Sequence, residues 1–133
     1  MYAGVIDHNS SPTYTTLSIL RELKRRSHHA YYFSIDKLTC EINNGKPDVT
    51  YNGKSIKKID LFFLRTLGNV LNSEKLEYRI NLIKVIEKMG KLVINPIEGY
   101  TKARNKFTCL SILASKNIKV PPTLVTENEQ MAY

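Results

Sequence analysis

The sequence has 133 residues, of which 42% are hydrophobic and 24% are charged, and its formal net charge is +8. A chain of this length buries roughly two-thirds of the surface that it exposes when unfolded, so it can form a hydrophobic core without disulfides or metals. It shows neither a long apolar run nor a secretory signal pattern, and we expect a soluble, cytoplasmic protein. The positive charge favours anionic partners such as nucleotide phosphates, acidic substrates or nucleic acid.

The two cysteines, Cys40 and Cys109, lie far apart, without CxxC spacing and without clustered histidines. This pattern indicates neither a zinc site nor a redox motif. We expect two reduced thiols and no metal site.

The first third of the chain predicts a strand, a helix and a second strand. Residues 2–7 form a short apolar run ending in an acid, which is typical of a buried parallel strand. Ser11 before Pro12 predicts a helix N-cap, and leucines at helical spacing extend the helix over about residues 12–27. Residues 30–35 are aromatic and branched, so a second strand follows, parallel to the first.

The middle of the chain predicts a small hairpin insertion and then the most apolar strand. Residues 39–42 and 49–51 are short alternating pieces separated by Asn-Gly turn signals. Residues 59–64 (IDLFFL) predict a central strand, which is followed by a loop from Arg65 to Asn69. Ligands of open α/β sheets bind at the carboxyl ends of the strands, so this loop is a candidate substrate-binding segment.

A long amphipathic helix and a short strand come next. Ser73 predicts the N-cap, and isoleucines and leucines at helical spacing predict a broad apolar face that ends at Gly90. Residues 92–95 predict a strand that Pro96 stops.

The remaining residues predict further helix and one weak strand. The pattern predicts two further helices that end at Asn117, a residue that suits a left-handed cap. Residues 120–126 predict a strand at the edge of a sheet, because they contain two prolines. The predicted buried face of the second helical piece consists of Phe107, Leu110, Leu113 and Ala114. Residues 127–133 indicate the opening of another helix, which favours truncation over a finished end. Strands that alternate with helices predict an α/β fold, an open doubly wound, mostly parallel sheet of Rossmann-like type with a small β-hairpin insertion.

Several motifs with chemical meaning are tested and rejected. Gly53-Lys54-Ser55 ends like a phosphate-binding P-loop, but the glycine required five residues earlier is replaced by Asp48. The first strand lacks a following GxGxxG pattern, which argues against dinucleotide binding. His8 with Ser10 and Ser11 could activate a nucleophile, yet a capped loop is the better interpretation because no separate orienting acid or oxyanion element can be named.

A phosphorelay receiver is the alternative that shares this topology. Such a protein needs an acid at the carboxyl end of the central strand, whereas Asp60 precedes the apolar residues 61–64. Asp60 therefore sits at the wrong end of its strand.

The segment from Ile59 to Thr123 resembles the RimK-like branch of the ATP-grasp superfamily, whose members join a carboxylate to an amine through an acyl phosphate. The resemblance is carried by the order of an apolar strand ending in arginine (IDLFFLR), a helix ending at Gly90 and the strand LVINP. The stretch IEGYTKARNKFTCLSILASKNIKVPPT then matches a short helix, a lysine that opens a longer helix and a proline-threonine strand. The resemblance implies a pre-ATP-grasp domain over residues 1–96 and a truncated start of the ATP-grasp domain over 97–133.

The resemblance also assigns roles to individual residues. Lys106 matches the first nucleotide-binding lysine of the family, which reaches the ATP phosphates, and Asn95 matches the asparagine that ends the preceding strand. Arg65 matches an arginine on the substrate side of the cleft, and Asn69 lies in the same loop. Asn105 replaces an aspartate that the family often has, and either residue can cap a helix.

The resemblance implies that the chain is part of an ATP-dependent ligase, which adds an amino acid such as glutamate to a carboxylate. ATP and Mg would serve the full-length parent, and neither is expected to bind tightly to this chain alone, since the second lysine, the glycine-rich loop and the metal ligands of the family come later. No catalytic residue is expected in this chain. The implied partners are the remainder of the ATP-grasp domain, a carboxylate acceptor and an amino acid. A homo-oligomer is a further option, and no association with a membrane is expected.

Two alternatives from other classes stay open. The chain could be a stand-alone binding or assembly module that keeps the fold without the chemistry. It could also bind nucleic acid nonspecifically through its charge, which is the less favoured idea and predicts steep salt dependence.

Overall fold

The computed structural model describes residues 1–69 and 72–131, which form two compact units, Met1–Ile97 and Glu98–Tyr133. In chain order the elements are β1 (Tyr2–Asp7), α1 (Tyr14–Arg25), β2 (His29–Ser34), β3 (Leu38–Asn43), β4 (Lys46–Tyr51), β5 (Lys54–Ser55), β6 (Leu61–Leu64), α2 (Ser73–Lys88), β7 (Leu92–Ile94), α3 (Ile97–Arg104) and α4 (Lys106–Ser115). Short 3₁₀ turns lie at Ile35–Lys37 and Glu129–Met131.

The first unit is built on a four-stranded parallel sheet in the order β2-β1-β6-β7. The chain leaves β1 through α1 to β2 on one side and later returns to β6 on the other side of β1. The point between β1 and β6 is therefore the topological switch point of the sheet. The predicted α/β class and the open parallel sheet are confirmed, and β1 has the predicted bounds.

The two faces of the central strand are covered differently. Ala3 and Val5 are fully buried and pack against Leu23 of α1. On the opposite face, the position of Gly4 is occupied from both sides by the rings of Phe33 and Phe62. The absence of a side chain at Gly4 is thus what allows these two buried rings to meet, with centroids 5.5 Å apart.

The predicted hairpin is part of a separate three-stranded antiparallel sheet in the order β3-β4-β5. The sequence Gly53-Lys54-Ser55 forms the turn and the short strand β5 rather than a loop between a strand and a helix. This placement confirms that the segment is not a P-loop, since that motif joins a strand to a helix.

Both predicted N-caps are displaced. The cap of α1 is Thr13 rather than Ser11, and its hydroxyl accepts from the backbone N–H of Thr16 at 3.4 Å. The cap of α2 is Asn72, whose side-chain oxygen accepts from the N–H three residues further on at 2.9 Å, while Ser73 is the first helical residue. An N-cap must reach the second or third helical amide, and here Thr13 and Asn72 are the side chains in position to do so.

The predicted long helix α2 is confirmed, and it buries Leu82, Ile83 and Ile86. The same face also buries Arg79, which is only 7% exposed. An arginine at this position was not predicted to enter the core.

The second unit has much less core. The two predicted helical pieces are present as α3 and α4, and Asn117 adopts the predicted left-handed conformation with φ of 58°. The predicted buried face of α4 is wrong, because α4 has no buried residue and Phe107 is 57% exposed.

The predicted strand over residues 120–126 is also wrong, because these residues have no regular structure. Pro121 and Pro122 cannot donate to a ladder, and no strand among residues 1–69 and 72–131 pairs with this segment. Of the helix indicated at 127–133, only the turn at Glu129–Met131 is seen, and residues 132 and 133 lie outside the described part.

Among the described helices, none has both the length and the apolar character that crossing a membrane requires.

Replacing Gly4 with alanine is expected to lower the free energy of unfolding by about 1–3 kcal/mol, because the new Cβ would lie 2.7 Å from atoms of Phe33 and Phe62. Gly99→Ala is the control, since a Cβ there meets nothing within 4 Å and alanine favours the helix. Urea unfolding of both variants tests this expectation. A Gly4→Ala variant as stable as Gly99→Ala would show that the rings move aside without cost.

Candidate functional site

The carboxyl ends of β1 and β6 meet at the switch point. Ile6 pairs with Leu64, and the backbone N–H of Arg65 donates to the carbonyl of Ile6 at 2.9 Å, so the two strands leave the sheet side by side. We name the two segments that follow them, residues 7–13 and 65–69, the switch-point edge. Open α/β sheets place their ligands at such an edge.

The buried carboxylate of Asp7 organises the first segment. Asp7 is 1% exposed, and its oxygens accept from the backbone N–H of His8 at 2.7 Å, from Asn9 Nδ2 at 3.1 Å and from the Thr16 hydroxyl at 2.7 Å. Burial of the Asp7 carboxyl raises its pKa, but the hydrogen bonds, with that from Thr16 the largest, outweigh burial. The pKa of Asp7 therefore lies below its ordinary value of 3.8, and the group is a carboxylate at neutral pH.

The loop after Asp7 is tied to β2 as well. The carbonyl of Asn9 accepts from the hydroxyls of Tyr32 and Ser34, the latter at 2.6 Å. Burial, followed by the charge of Asp7, raises the pKa of Tyr32, so its phenol stays protonated and donates. The loop is consequently held from two neighbouring strands.

His8 belongs to the first segment of the switch-point edge and lies against Gly68 of the second. Its Nδ1 is 3.2 Å from Asp7 Oδ1, and its side chain is 39% exposed. On the other side, a Cβ at Gly68 would come within 2.9 Å of Cβ, Cγ and Cδ2 of His8. Gly68 has φ of +79°, a conformation that glycine adopts without strain. Because it carries no side chain, it also leaves room for His8.

The second segment is anchored in its middle and exposed at its ends. Leu67 is fully buried, and its carbonyl accepts from the guanidinium of Arg79 on α2. The N–H of Gly68 donates to the Thr66 hydroxyl at 3.0 Å. Arg65 and Asn69 flank this anchor, and both are exposed.

Asn95 follows the neighbouring strand at the same edge of the sheet. Phe63 of β6 pairs with Ile94 of β7, so Asn95 and Arg65 both lie just past the carboxyl ends of adjacent parallel strands. Asn95 is exposed. Beyond it, the N–H of Ile97, the last residue of the first unit, donates to a carboxylate oxygen of Glu87 at 2.8 Å.

Lys106 belongs to the second unit, at the first residue of α4. Asn105 caps this helix by accepting from the N–H of Thr108 at 3.0 Å, as expected for an asparagine in place of the aspartate of the family. Lys106 is exposed and forms no ion pair with any carboxylate that the structure describes. The structure thus brings Arg65, Asn69 and Asn95 to one sheet edge of the first unit, whereas Lys106 belongs to the second unit.

The described residues contain no cluster of metal-ligating side chains. Within 1–69 and 72–131, no three His, Cys, Asp or Glu side chains lie close enough together to hold an ion.

The sequence interpretation of this edge missed the partners of His8. The carboxylate beside His8 belongs to the preceding residue, Asp7, and the contact with Gly68 joins positions sixty residues apart. A buried acid at the end of an apolar strand was the available signal for Asp7, whereas nothing in the local sequence pointed to Gly68.

Gly68→Ala is expected to destabilise the chain more than Gly45→Ala, although both glycines have similar positive φ, +79° and +73°. Both variants carry the left-handed penalty, but only Gly68→Ala also displaces His8, which adds about 1–3 kcal/mol. Urea unfolding measures the difference, and it should shrink in a His8→Gly background, which removes all three contacting atoms. Equal losses in the free energy of unfolding for Gly68→Ala and Gly45→Ala would contradict the close contact between His8 and Gly68.

Thr16→Val is expected to cost about 1–3 kcal/mol at neutral pH, because it removes the buried donor to the Asp7 carboxylate. The lowered pKa of Asp7 means that this stabilisation is present above 3.8 and is lost as the pH falls through the folded-state pKa. The cost of Thr16→Val should therefore shrink between about pH 7 and about pH 3. Thr16→Ser keeps the hydroxyl and should show a pH-independent cost; a Thr16→Val cost that is constant with pH would contradict the assignment.

Comparison with solved structures identifies the fold. The ATP-grasp ligase PsnB, solved with a minimal precursor, Mg and ADP, matches 98% of this chain with a TM-score of 0.69 and 17% identity, over 49% of its own length. The macrocyclase MdnB from Microcystis aeruginosa MRC matches 98% of this chain with a TM-score of 0.67 and 18% identity, over 49% of its length.

Sequence comparison gives the family. A probable alpha-L-glutamate ligase from Trichodesmium erythraeum is 32% identical over 112 residues, which are 83% of this chain and 35% of that protein. One from Vibrio cholerae is 27% identical over 125 residues, 92% of this chain and 39% of that protein, so this chain spans little more than a third of these relatives. The family model of the RimK PreATP-grasp domain matches residues 4–99. The resemblance drawn from the sequence is thereby confirmed: the chain belongs to the RimK pre-ATP-grasp domain family.

Proposed function

We propose that this chain is the N-terminal part of an ATP-dependent carboxylate-amine ligase, forms one wall of its substrate cleft and is inactive alone. The observation that carries the proposal is the exposed Arg65 at the switch point, beside a loop that is anchored by buried Leu67. A guanidinium binds a carboxylate through two parallel hydrogen bonds, which fixes both its position and its orientation. The proposed ligand of Arg65 is the carboxylate of the acceptor.

The neighbours of Arg65 suit the same ligand. Asn69 lies at the other end of the anchored segment and offers an amide donor, and Asn95 offers a second one past the adjacent strand. His8 is held by Asp7 and by the backbone at Gly68, so its ring orientation is set before any ligand arrives. Preorganised donors reduce the entropy lost on binding.

Lys106 is proposed to contact the phosphates of ATP. The Asn105 cap fixes the start of α4 and leaves the Lys106 ammonium exposed at a helix N-terminus, where backbone amides also attract anions. ATP bound with Mg²⁺ would supply the phosphoryl group that activates the acceptor carboxylate. No three His, Cys, Asp or Glu side chains cluster among the described residues, and the proposed metal ligands lie outside them.

The proposed amino acid substrate is glutamate, since the curated relatives are named probable alpha-L-glutamate ligases. The proposed partner of the second unit is the remainder of an ATP-grasp domain. Large apolar side chains of this unit are exposed to about half or more: Phe107 57%, Ile118 50%, Leu124 64%, Val125 59% and Met131 58%. Apolar surface of this extent is typical of an interface, and self-association through it is the competing possibility.

Arg65→Ala in the full-length enzyme is expected to lower kcat/KM for the acceptor about 10- to 150-fold, because a charge-assisted contact worth roughly 1.5–3 kcal/mol is lost. Arg65→Lys should restore only part of the activity, since an ammonium cannot form the two-point contact. Arg21→Ala removes an exposed arginine on α1 and is the matched control. An Arg65→Ala enzyme with the activity of Arg21→Ala would remove Arg65 from the cleft.

The isolated chain is expected to form no ADP from ATP and Mg²⁺, because phosphoryl transfer requires metal ions and several positioned cations. In the full-length enzyme, Lys106→Ala should lower kcat, whereas Lys116→Ala, an exposed lysine at the end of the same helix, should not. ADP formation by the isolated chain that Lys106→Ala abolishes would contradict the assignment of catalysis to the complete enzyme.

A further inference from the structure

The first unit contains a cavity away from the switch-point edge. It has a volume of about 250 Å³ and lies between β2, β4, β5 and the turn before β6. None of the residues of the switch-point edge lines it. Its lining consists of Tyr31, Phe33, Tyr51, Lys54, Ser55, Ile56, Lys58 and Ile59. We call it the aromatic pocket.

Three rings form the walls of the aromatic pocket. Phe33 meets Tyr51 edge to face, with centroids 5.0 Å apart and an interplanar angle of 77°. Tyr31 belongs to a stack that runs across β1 and β2, with its centroid 6.4 Å from that of Tyr2. Ile56 and Ile59 are buried and complete an apolar interior. An interior of rings and branched apolar side chains favours a flat, apolar ligand surface.

The charge around this interior is positive. Lys58 Nζ lies 5.0 Å from the centroid of Tyr31, and Lys54 also lines the pocket. Neither lysine pairs with a carboxylate in the described ranges 1–69 and 72–131. The nearby carboxylate of Asp48 is engaged by the ammonium of Lys57 at 2.8 Å and by the Ser55 hydroxyl at 3.0 Å.

The engagement of Asp48 has two consequences. Its hydrogen bonds hold the pKa of Asp48 below its ordinary value of 3.8, with the bond from Lys57 as the largest cause, so it stays ionised and its charge is offset by Lys57. Lys54 and Lys58 are thereby left to attract an anion from outside the molecule. Among the described residues, no acidic side chain lines the pocket to repel that anion.

We propose that the aromatic pocket binds a planar aromatic ring that carries a phosphate or a carboxylate. The ring lies among Tyr31, Phe33 and Tyr51, and the anionic group is bound by Lys54 and Lys58. Pockets for drug-sized ligands span roughly 300–1,000 Å³, so a cavity of about 250 Å³ takes one ring or two fused rings and leaves the anionic group outside. A nucleotide and an aromatic acid share this chemistry. The site is separate from the proposed ligase cleft, and it stands or falls independently of it.

The test is calorimetric titration of the chain at low salt with two probes, AMP and indole-3-acetate. Adenosine supplies the ring without the anion, and ribose 5-phosphate supplies the anion without the ring. The variants are Lys54→Ala combined with Lys58→Ala, and Tyr51→Leu, which removes one aromatic wall. Lys84→Ala combined with Lys88→Ala removes two exposed lysines of α2 and matches the change of net charge.

Saturable binding of AMP or of indole-3-acetate is expected. If AMP binds, adenosine and ribose 5-phosphate should each bind with at least tenfold lower affinity than AMP. The paired variant at Lys54 and Lys58 should raise Kd at least tenfold, and Tyr51→Leu should also weaken binding, while the α2 control leaves Kd within twofold. Binding of indole-3-acetate without AMP identifies an aromatic acid, and the reverse identifies a nucleotide. The proposal is overturned if neither probe binds, if ribose 5-phosphate binds as tightly as AMP, or if the two lysine-pair variants behave alike.

Discussion

A carboxylate inside a protein must be hydrogen-bonded, because an unpaired buried charge costs several kcal/mol or more. In this chain that requirement falls on Asp7, whose oxygens are satisfied by Thr16 of α1, by the backbone of His8 and by the side chain of Asn9. One carboxylate thereby joins the end of β1, the first turn of α1 and the loop between them. The position of His8, and with it the first half of the switch-point edge, follows from these bonds.

The second half of the edge is fixed by an equally local set of contacts. Leu67 is inserted into the core, its carbonyl is bound by Arg79, and Gly68 accommodates His8. This arrangement holds the backbone of an exposed loop while the side chain of Arg65 remains free to meet a ligand from solvent. A loop held in this way loses less conformational freedom when a ligand binds to it. The exposed Arg65 therefore follows a strand and a loop whose positions are set by the buried groups Leu67 and Arg79.

The strands and helices that depend on local sequence pattern were predicted, whereas contacts between residues far apart in the sequence were missed. The apolar run of β1 and the amphipathic face of α2 follow from periodicity, and the rule for open sheets points to Arg65 from the sequence alone. The cap at Thr13 was missed because propensity favoured serine before proline, whereas the threonine hydroxyl also approaches the Asp7 carboxylate. The burial of Arg79 was missed because it lies among apolar residues at helical spacing. The contact between His8 and Gly68 was missed because it forms only when β1 and β6 pair. The strand expected over residues 120–126 needed a pairing partner that its own residues could not provide.

The central claim is that this chain is one wall of a larger ligase, and the intact mass of the endogenous protein in its source cell tests it most directly. The curated relatives are nearly three times as long as the part matched here, since 112 aligned residues cover 35% of one of them. The account predicts a mass of at least about twice the 15.3 kDa of this chain, with this sequence at its amino-terminal end. A protein of 15.3 kDa would contradict it and would leave the chain as a binding module that keeps the fold of a ligase domain without its reaction.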